Sequence, residues 1–359
     1  MTSKEANGTS NGHDGSSNKA SNGSSSTEQT APEISTSDLL QGYLAWNISY
    51  ACAWILTFGP LAILLAFPKS PITWTIWATL VIPYHMYCLV GPGRYHELHD
   101  GYPRPEFSKS FFIFQKMRTF LQFTMIVDPA LQNAEAQPNA QFIFAEFPHA
   151  VWADYHVPMD ALLHEQFPSI APSIRSLAAS VLFRAPVVRE WCLWTSAVDA
   201  RKDVAQAALR RGRTLVVRPG GLAEQLRTCK GREVVFLRHR KGFIKLGLQH
   251  GVPVVPCYIF GASDYHYTSN ALFGVREWIQ KTFGVCLPLA VGYWGTMCPR
   301  PIPTTVVFGK PLQFEIKTKG EPTQDEIDHA HETFIKELKS LFDKHKHDLG
   351  YGDRKLEIV

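Results

Sequence analysis

Three short segments of the chain carry the side chains that could do chemistry. The first is Glu146-Phe147-Pro148-His149, which follows an apolar strand-like run directly. Histidine has the ordinary pKa closest to neutrality, so His149 can take the proton of an alcohol as its oxygen attacks a carbonyl such as a thioester. Pro148 fixes its own φ and so constrains the direction of the imidazole. Read alone, a Pro-His at a strand end is more often the pattern of a structural histidine with satisfied ring nitrogens. Asp154 follows five positions later, a second acid that could orient the ring. The second segment is Arg218-Pro219-Gly220-Gly221-Leu222-Ala223-Glu224, again at a strand end. Paired glycines let backbone N–H groups approach a phosphate or the oxyanion formed on an attacked carbonyl. A plain Pro-Gly type II turn accounts for the same letters. Glu224, one helical turn on, could orient an imidazole or simply face solvent. The third is Arg238-His239-Arg240-Lys241-Gly242 at the start of a helical pattern, where Arg238, Arg240 and Lys241 could seat phosphates, or form a solvated basic face.

The surrounding pattern indicates how these segments are positioned. Residues 141–147, 214–218, 252–260 and 304–308 read as strands, and residues 168–182, 198–211 and 241–250 as helices, an alternation expected of an α/β sheet. Residues 106–126 mix phenylalanines with Lys109, Lys116 and Arg118, as either an interfacial helix or one packed on the domain would. Thr323 followed by Glu326 has capping-box spacing and opens a C-terminal helix with Ile327, Phe334, Ile335, Leu338, Leu341 and Phe342 at helical intervals. His329 and His331 fall on different faces of it and are expected in solvent.

Before this domain lie two segments of other character. Residues 1–36 are mostly Ser, Asn, Gly and Thr and cannot bury enough apolar surface to offset chain entropy, so a disordered tail is expected there. In residues 42–93 the only charge before the closing Gly is Lys69, and apolar runs 44–67 and 72–90 flank Pro68-Lys69-Ser70-Pro71. Each run approaches the ~20 residues a helix needs to cross hydrocarbon, so a membrane helical hairpin is expected, with Pro60 and Pro83 able to bend its arms. Two passes put both chain ends on one side. Arg94, Lys109, Lys116 and Arg118, just after the hairpin, favour the cytosol for that side. The net charge of +4 suits an anionic membrane or phosphorylated cosubstrate and is too weak to argue for nucleic acid, for which no motif appears. Seven cysteines without CxxC spacing signal neither a zinc site nor a disulfide framework. Nothing in the sequence specifies an oligomeric state.

Taken together, the segments resemble the type-2 diacylglycerol acyltransferase family, which includes monoacylglycerol and wax-ester acyltransferases. The matching residues are Pro148-His149, Pro219-Gly220-Gly221 with Glu224, the Arg-x-Arg-Lys-Gly-Phe run with Gly251 and Val255-Pro256, Phe260-Gly261, and residues 303–311. They occur in the family's order from about residue 94 to the end, which implies an acyltransferase domain over 94–359. The fold implied is a glycerolipid-acyltransferase-like sheet flanked by helices. The activity implied is transfer of a fatty acyl group from acyl-CoA to diacylglycerol at the endoplasmic reticulum or lipid-droplet surface, without a metal or prosthetic group. The active residues implied are His149 and Glu224, with Asp154 retained as rival partner because its His-x4-Asp spacing occurs in glycerolipid acyltransferases. Monoacylglycerol, a fatty alcohol or a sterol are alternative acceptors, and a non-catalytic lipid-droplet coat protein is the alternative of another class. The chain departs from the family pattern at Phe147, Ala150, Arg218 and Ala262-Ser263-Asp264.

Overall fold

The computed structural model describes residues 34–90, 92–315 and 321–359. The strands in chain order are β1 (Thr124–Val127), β2 (Ile143–Phe147), β3 (Ile174–Ala178), β4 (Ala197–Asp199), β5 (Thr214–Val217), β6 (Glu233–Val235), β7 (Val254–Phe260), β8 (Tyr267–Ser269), β9 (Leu289–Val291), β10 (Thr305–Phe308) and β11 (Leu356–Ile358). Seven of them form one mixed sheet in the order β1-β10-β7-β2-β5-β3-β4. β7, β2, β5, β3 and β4 run parallel, and β10 pairs antiparallel with β7.

Helices cover both faces, as a buried parallel sheet requires. Side-chain alternation sends Phe142, Phe144 and Val216 into one core with helices Phe112–Leu121 and His156–Gln166. Ile143, Ala145, Phe147, Leu215 and Val217 enter the other, with helices Lys202–Arg210, Gly242–His250 and Gln324–His345. Residue 146 therefore shares the face of Phe144, and residue 218 that of Val216. The capping box of Thr323 and Glu326 forms as its spacing predicts.

Three expectations fail. Residues 168–182 are not a helix: Ile174–Ala178 is strand β3, between the one-turn helices Ala171–Ser173 and Ser180–Arg184. Its apolar residues fill an interior strand slot, and sheet pairing overrides a pattern that a helix would satisfy equally well. Likewise the helix expected from residue 198 begins at Lys202, because Ala197–Asp199 pairs with β3. His331 is buried rather than solvated, and its Nε2 lies 3.1 Å from the Leu237 carbonyl oxygen, a contact between sequence-distant elements.

Of the expected tail, residues 1–33 lie outside those described. Ser35 caps the helix Thr36–Ala66, accepting the Asp38 N–H at 3.1 Å. This is the one helix among the described residues long and apolar enough to cross a membrane. Its first half packs on helix Phe112–Leu121, where Gly42 lies so close to Phe120 that a Cβ would collide with the ring. That settles residues 106–126 as two packed helices, Pro105–Ser110 and Phe112–Leu121, followed by β1. Beyond residue 53 the long helix presents Trp54, Ile55, Phe58 and Leu65 outward. The second apolar run is helical but broken into Pro71–Ile76, a π turn Trp77–Val81 and Ile82–Leu89. Pro83 cannot donate the i→i−4 hydrogen bond, which accounts for the irregular turn before it. Trp77 Nε1 donates to the Pro60 carbonyl at 3.0 Å, joining the arms. Tyr84 donates to the Glu190 carboxylate at 2.9 Å, which roots the second arm on the domain.

Candidate active site

β2 and β5 are hydrogen-bonded neighbours, with Ala145 opposite Val217. The parallel register delivers Pro148-His149 and Pro219-Gly220-Gly221 to the same carboxyl edge of the sheet, where open α/β sheets place their ligands. The Phe147-Pro148 peptide is cis. Ala150, immediately after His149, has φ +58°, a conformation glycine adopts freely and alanine with difficulty.

Glu224 meets the histidine segment, but through the backbone rather than the ring. One carboxylate oxygen accepts the His149 backbone N–H, and the other accepts the Phe236 N–H at 2.7 Å. The orientation of the imidazole by Glu224 expected from the resemblance is therefore corrected: its buried carboxylate clamps the loop that carries His149. Gly220 is required by the same clamp, since a Cβ there would overlap the Glu224 carboxylate. His149 is half-buried with Nδ1 fully enclosed, and no carboxylate of the described residues pairs with the ring. Asp154 lies in the single helical turn Ala153–Tyr155, and its side chain falls outside the described residues.

Two residues absent from the expected catalytic set complete the arrangement. Glu146, fully buried, forms an ion pair with Arg218 at 2.9 Å. Arg218 also donates to Ser176 Oγ at 3.2 Å, while Tyr155 donates its hydroxyl to the Pro148 carbonyl at 3.2 Å. The sequence signal for Glu146 was a carboxylate inside an otherwise apolar strand, a group that needs a buried partner. The departure at Arg218 is explained by the same pair. Tyr155 carried no readable signal.

Burial first, and the Arg218 cation second, hold the His149 pKa down at about 4. Both causes favour the neutral form of the ring and lower its basicity. Burial pushes the Glu224 carboxyl up to about 7, against the opposing pull of its two N–H donors and of Arg240. An ionised Glu224 accepts both N–H groups, whereas protonation turns one oxygen into a donor facing a donor. We expect kcat/KM to fall as pH drops through about 7, and Glu224→Gln to abolish that limb and leave only one near 4. A wild-type profile flat from pH 8 to 5 would contradict the clamp. For stability the sign is opposite. A folded pKa raised above the unfolded value contributes stability that is complete below the ordinary carboxylate range and lost as pH rises through about 7.

The third segment is joined to this site by Arg240, whose guanidinium lies 5.0 Å from the Phe236 ring centroid, with Arg227 also near that ring at 4.9 Å. Lys241 pairs with Asp328 at 2.7 Å, so an internal partner occupies its ammonium group. Arg238 is exposed, its backbone N–H donating to the Val359 carbonyl at 3.0 Å, and Gly242 is the exposed first residue of its helix. Ser263 and Asp264 bind Glu233 and Arg354, so that departure supports the C-terminal segment rather than the surroundings of His149.

The family model "Diacylglycerol acyltransferase" matches residues 104–359, more than half of the chain. The chain belongs to this family. It is 31% identical over 264 residues to "Diacylglycerol O-acyltransferase 1" of Eremothecium gossypii, covering 68% of this chain and 57% of that protein. It is 32% identical to "Diacylglycerol O-acyltransferase 2" of Homo sapiens, covering 58% of each. Against the protein of that name from Danio rerio it is 27% identical over 92% of both chains. The first relatives are matched over 57%, 66% and 63% of their own lengths. The crystal structure of the 1-acyl-sn-glycerophosphate acyltransferase PlsC from Thermotoga maritima aligns with 85% of this chain and 97% of its own, at TM-score 0.41 and 16% identity.

Proposed function

We propose that the chain is an acyl-CoA:diacylglycerol O-acyltransferase with His149 as general base. The observation that carries this reading is the His149 loop, held by Glu224 at the carboxyl edge of the sheet beside the Pro219-Gly220-Gly221 turn, in a chain of this family. His149 takes the proton of the acceptor hydroxyl as that oxygen attacks the thioester carbonyl carbon. Amides of the Gly220-Gly221 turn stabilise the resulting oxyanion, the C–S bond breaks, and the imidazolium returns its proton to the departing thiolate. No metal or prosthetic group enters these steps.

The cosubstrate acyl-CoA and the acceptor diacylglycerol meet at a membrane surface. Helix Thr36–Ala66 and the broken run after it enter the bilayer as a hairpin and return to the same face. The outward-projecting portion, residues 54–66, is ~20 Å long at 1.5 Å per residue, shorter than the ~30 Å of hydrocarbon, which favours a dip over a crossing. Both termini and the catalytic domain then lie in the cytosol, at the endoplasmic reticulum or a lipid droplet. Of the cations cited for that orientation, Arg94 is exposed, while Arg118 is spent on the carbonyls of Ser108, Lys109 and Pro158.

The test is the full chain reconstituted in vesicles with acyl-CoA and, in turn, diacylglycerol, monoacylglycerol, a fatty alcohol and a sterol, with products identified. Triacylglycerol as the dominant product supports the proposal. Another ester would reassign the acceptor, and no ester from any acceptor would favour a coat protein. In the same assay Arg238→Ala with Arg240→Ala is expected to raise the KM for acyl-CoA several-fold more than that for the acceptor. Equal effects on both would leave these residues as a solvated face.

A further inference from the structure

Between β7 and β10 the chain leaves the sheet and forms helix Phe273–Phe283, flanked by the antiparallel pair β8-β9. The helix is inverted relative to an ordinary surface helix. Its charged side faces the protein: Arg276 is buried and donates to the carbonyls of Ala271 at 2.9 Å and Ser269 at 2.8 Å, and Glu277 pairs with Arg227. Its apolar side faces outward, with Leu272, Val275, Trp278 and Phe283 exposed by 71%, 53%, 58% and 64%. In the neighbouring pair, Tyr267, Leu289 and Val291 are exposed as well. A contiguous apolar surface of this kind marks an interaction site. It lies on the side of the domain where helix Thr36–Ala66 docks, because the Trp294 ring lies 4.8 Å from that of Tyr43 on the packed half of that helix. Cations rim it: Lys230 and Arg300 lie 4.4 and 4.9 Å from the Tyr267 ring centroid.

We propose that residues 267–294 form a second membrane contact, a helix and hairpin lying in the headgroup and upper acyl region of a phospholipid surface. The outward apolar arc enters the acyl boundary, Trp278 and Trp294 sit at the interface, and Lys230 and Arg300 meet anionic headgroups. A lipid surface fits better than a second copy of the chain, because the patch lies on the side where helix Thr36–Ala66 docks before its exposed apolar half projects outward, and because it is bordered by cations. Arg227 lies on the same short helix as Glu224, so its pair with Glu277 ties the lipid contact to the clamp on His149. This inference rests on the reading of helix Thr36–Ala66 as membrane-embedded, and its test separates the two.

The experiment uses the full chain in phosphatidylcholine vesicles containing phosphatidylserine, with lipids brominated near the headgroup end of the acyl chain quenching tryptophan emission. Trp278→Phe changes an exposed residue conservatively, and retained transferase activity checks the fold. Its loss is expected to remove part of the lipid-quenchable emission and none of the iodide-quenchable emission. Trp54→Phe, on helix Thr36–Ala66, is the positive control. Removal of an iodide-quenchable component by Trp278→Phe would place this face in water and overturn the proposal. Loss of emission quenched by neither agent would mean that protein, such as a second copy, covers it, and would overturn it equally. If Trp54→Phe also leaves lipid quenching unchanged, the membrane reading of the first helix fails, whatever Trp278 shows.

Discussion

Replacing His149 by alanine is expected to lower kcat for acyl transfer by at least ~10², the usual contribution of a positioned general base, with the protein still folded and membrane-bound. The imidazole is held at the sheet edge, where burial favours the neutral form a base must start from while lowering its basicity. An alanine there removes the proton acceptor and leaves the Glu224 clamp intact, because Glu224 binds the backbone N–H that alanine retains. KM for acyl-CoA should change little. Glu224→Gln is the informative second variant: one of its two acceptor oxygens becomes an NH₂ group facing an N–H donor, so the loop loses a contact. It should lower kcat in the wild-type background and be nearly silent beside His149→Ala, since residues acting through one another are non-additive. Asp154→Asn run through the same cycle tests the rival. Strong coupling of His149 to Asp154 with additive behaviour at Glu224 would move the assignment to Asp154. A His149→Ala enzyme with kcat within threefold of wild type would end the general-base role.

The second large effect concerns the Glu146 and Arg218 pair. Arg218→Gln is expected to destabilise the fold by ~3–5 kcal/mol, because it strands a carboxylate with no exposed surface. Glu146→Gln should cost a similar amount by stranding the guanidinium. The double variant should recover a large part of either loss, since two neutral amides in contact need no counter-charge. The measurement is the unfolding midpoint in detergent for the four proteins of the cycle. Single variants within about 1 kcal/mol of wild type would show that solvent reaches the pair. A catalytic corollary follows from position. Removing the Arg218 cation relieves the second cause of the depressed His149 pKa, so in the Glu224→Gln background, where the limb near 7 is gone, a correctly folded Arg218→Gln enzyme should show the remaining acidic limb moved upward from about 4. The limb should stay below the ordinary histidine value, because burial is the larger cause and remains.

Much of the arrangement is written in local patterns of the sequence. The strand ends that carry Pro148-His149 and Pro219-Gly220-Gly221 were visible because apolar runs stopped at residues unsuited to a core. The C-terminal helix was visible because a capping box and apolar periodicity are local patterns with local causes. Harder to read was the stretch 168–182. Its apolar residues fit either period, and the choice of strand was made by the vacant edge of β5 and by β4, which pairs with it in turn. His331 is buried for a related reason: its partner, the Leu237 carbonyl, is distant in sequence and nothing near the histidine announces it.

The sequence by itself determined the α/β alternation, the apolar N-terminal region and the family, since these rest on residue type, order and spacing. The partnerships were decided only by tertiary structure. Register across β2 and β5 set Glu146 against Arg218, and the return of the chain at Phe236 gave Glu224 a second N–H donor, so that the acid holds the loop rather than the ring. The outward turn of the apolar side of helix Phe273–Phe283 was likewise fixed by where Arg276 and Glu277 found partners. The physical reason is common to all three. Hydrogen bonds and ion pairs between sequence-distant groups depend on distances of a few ångströms that only the packed chain defines, whereas periodicity and composition act within one element at a time.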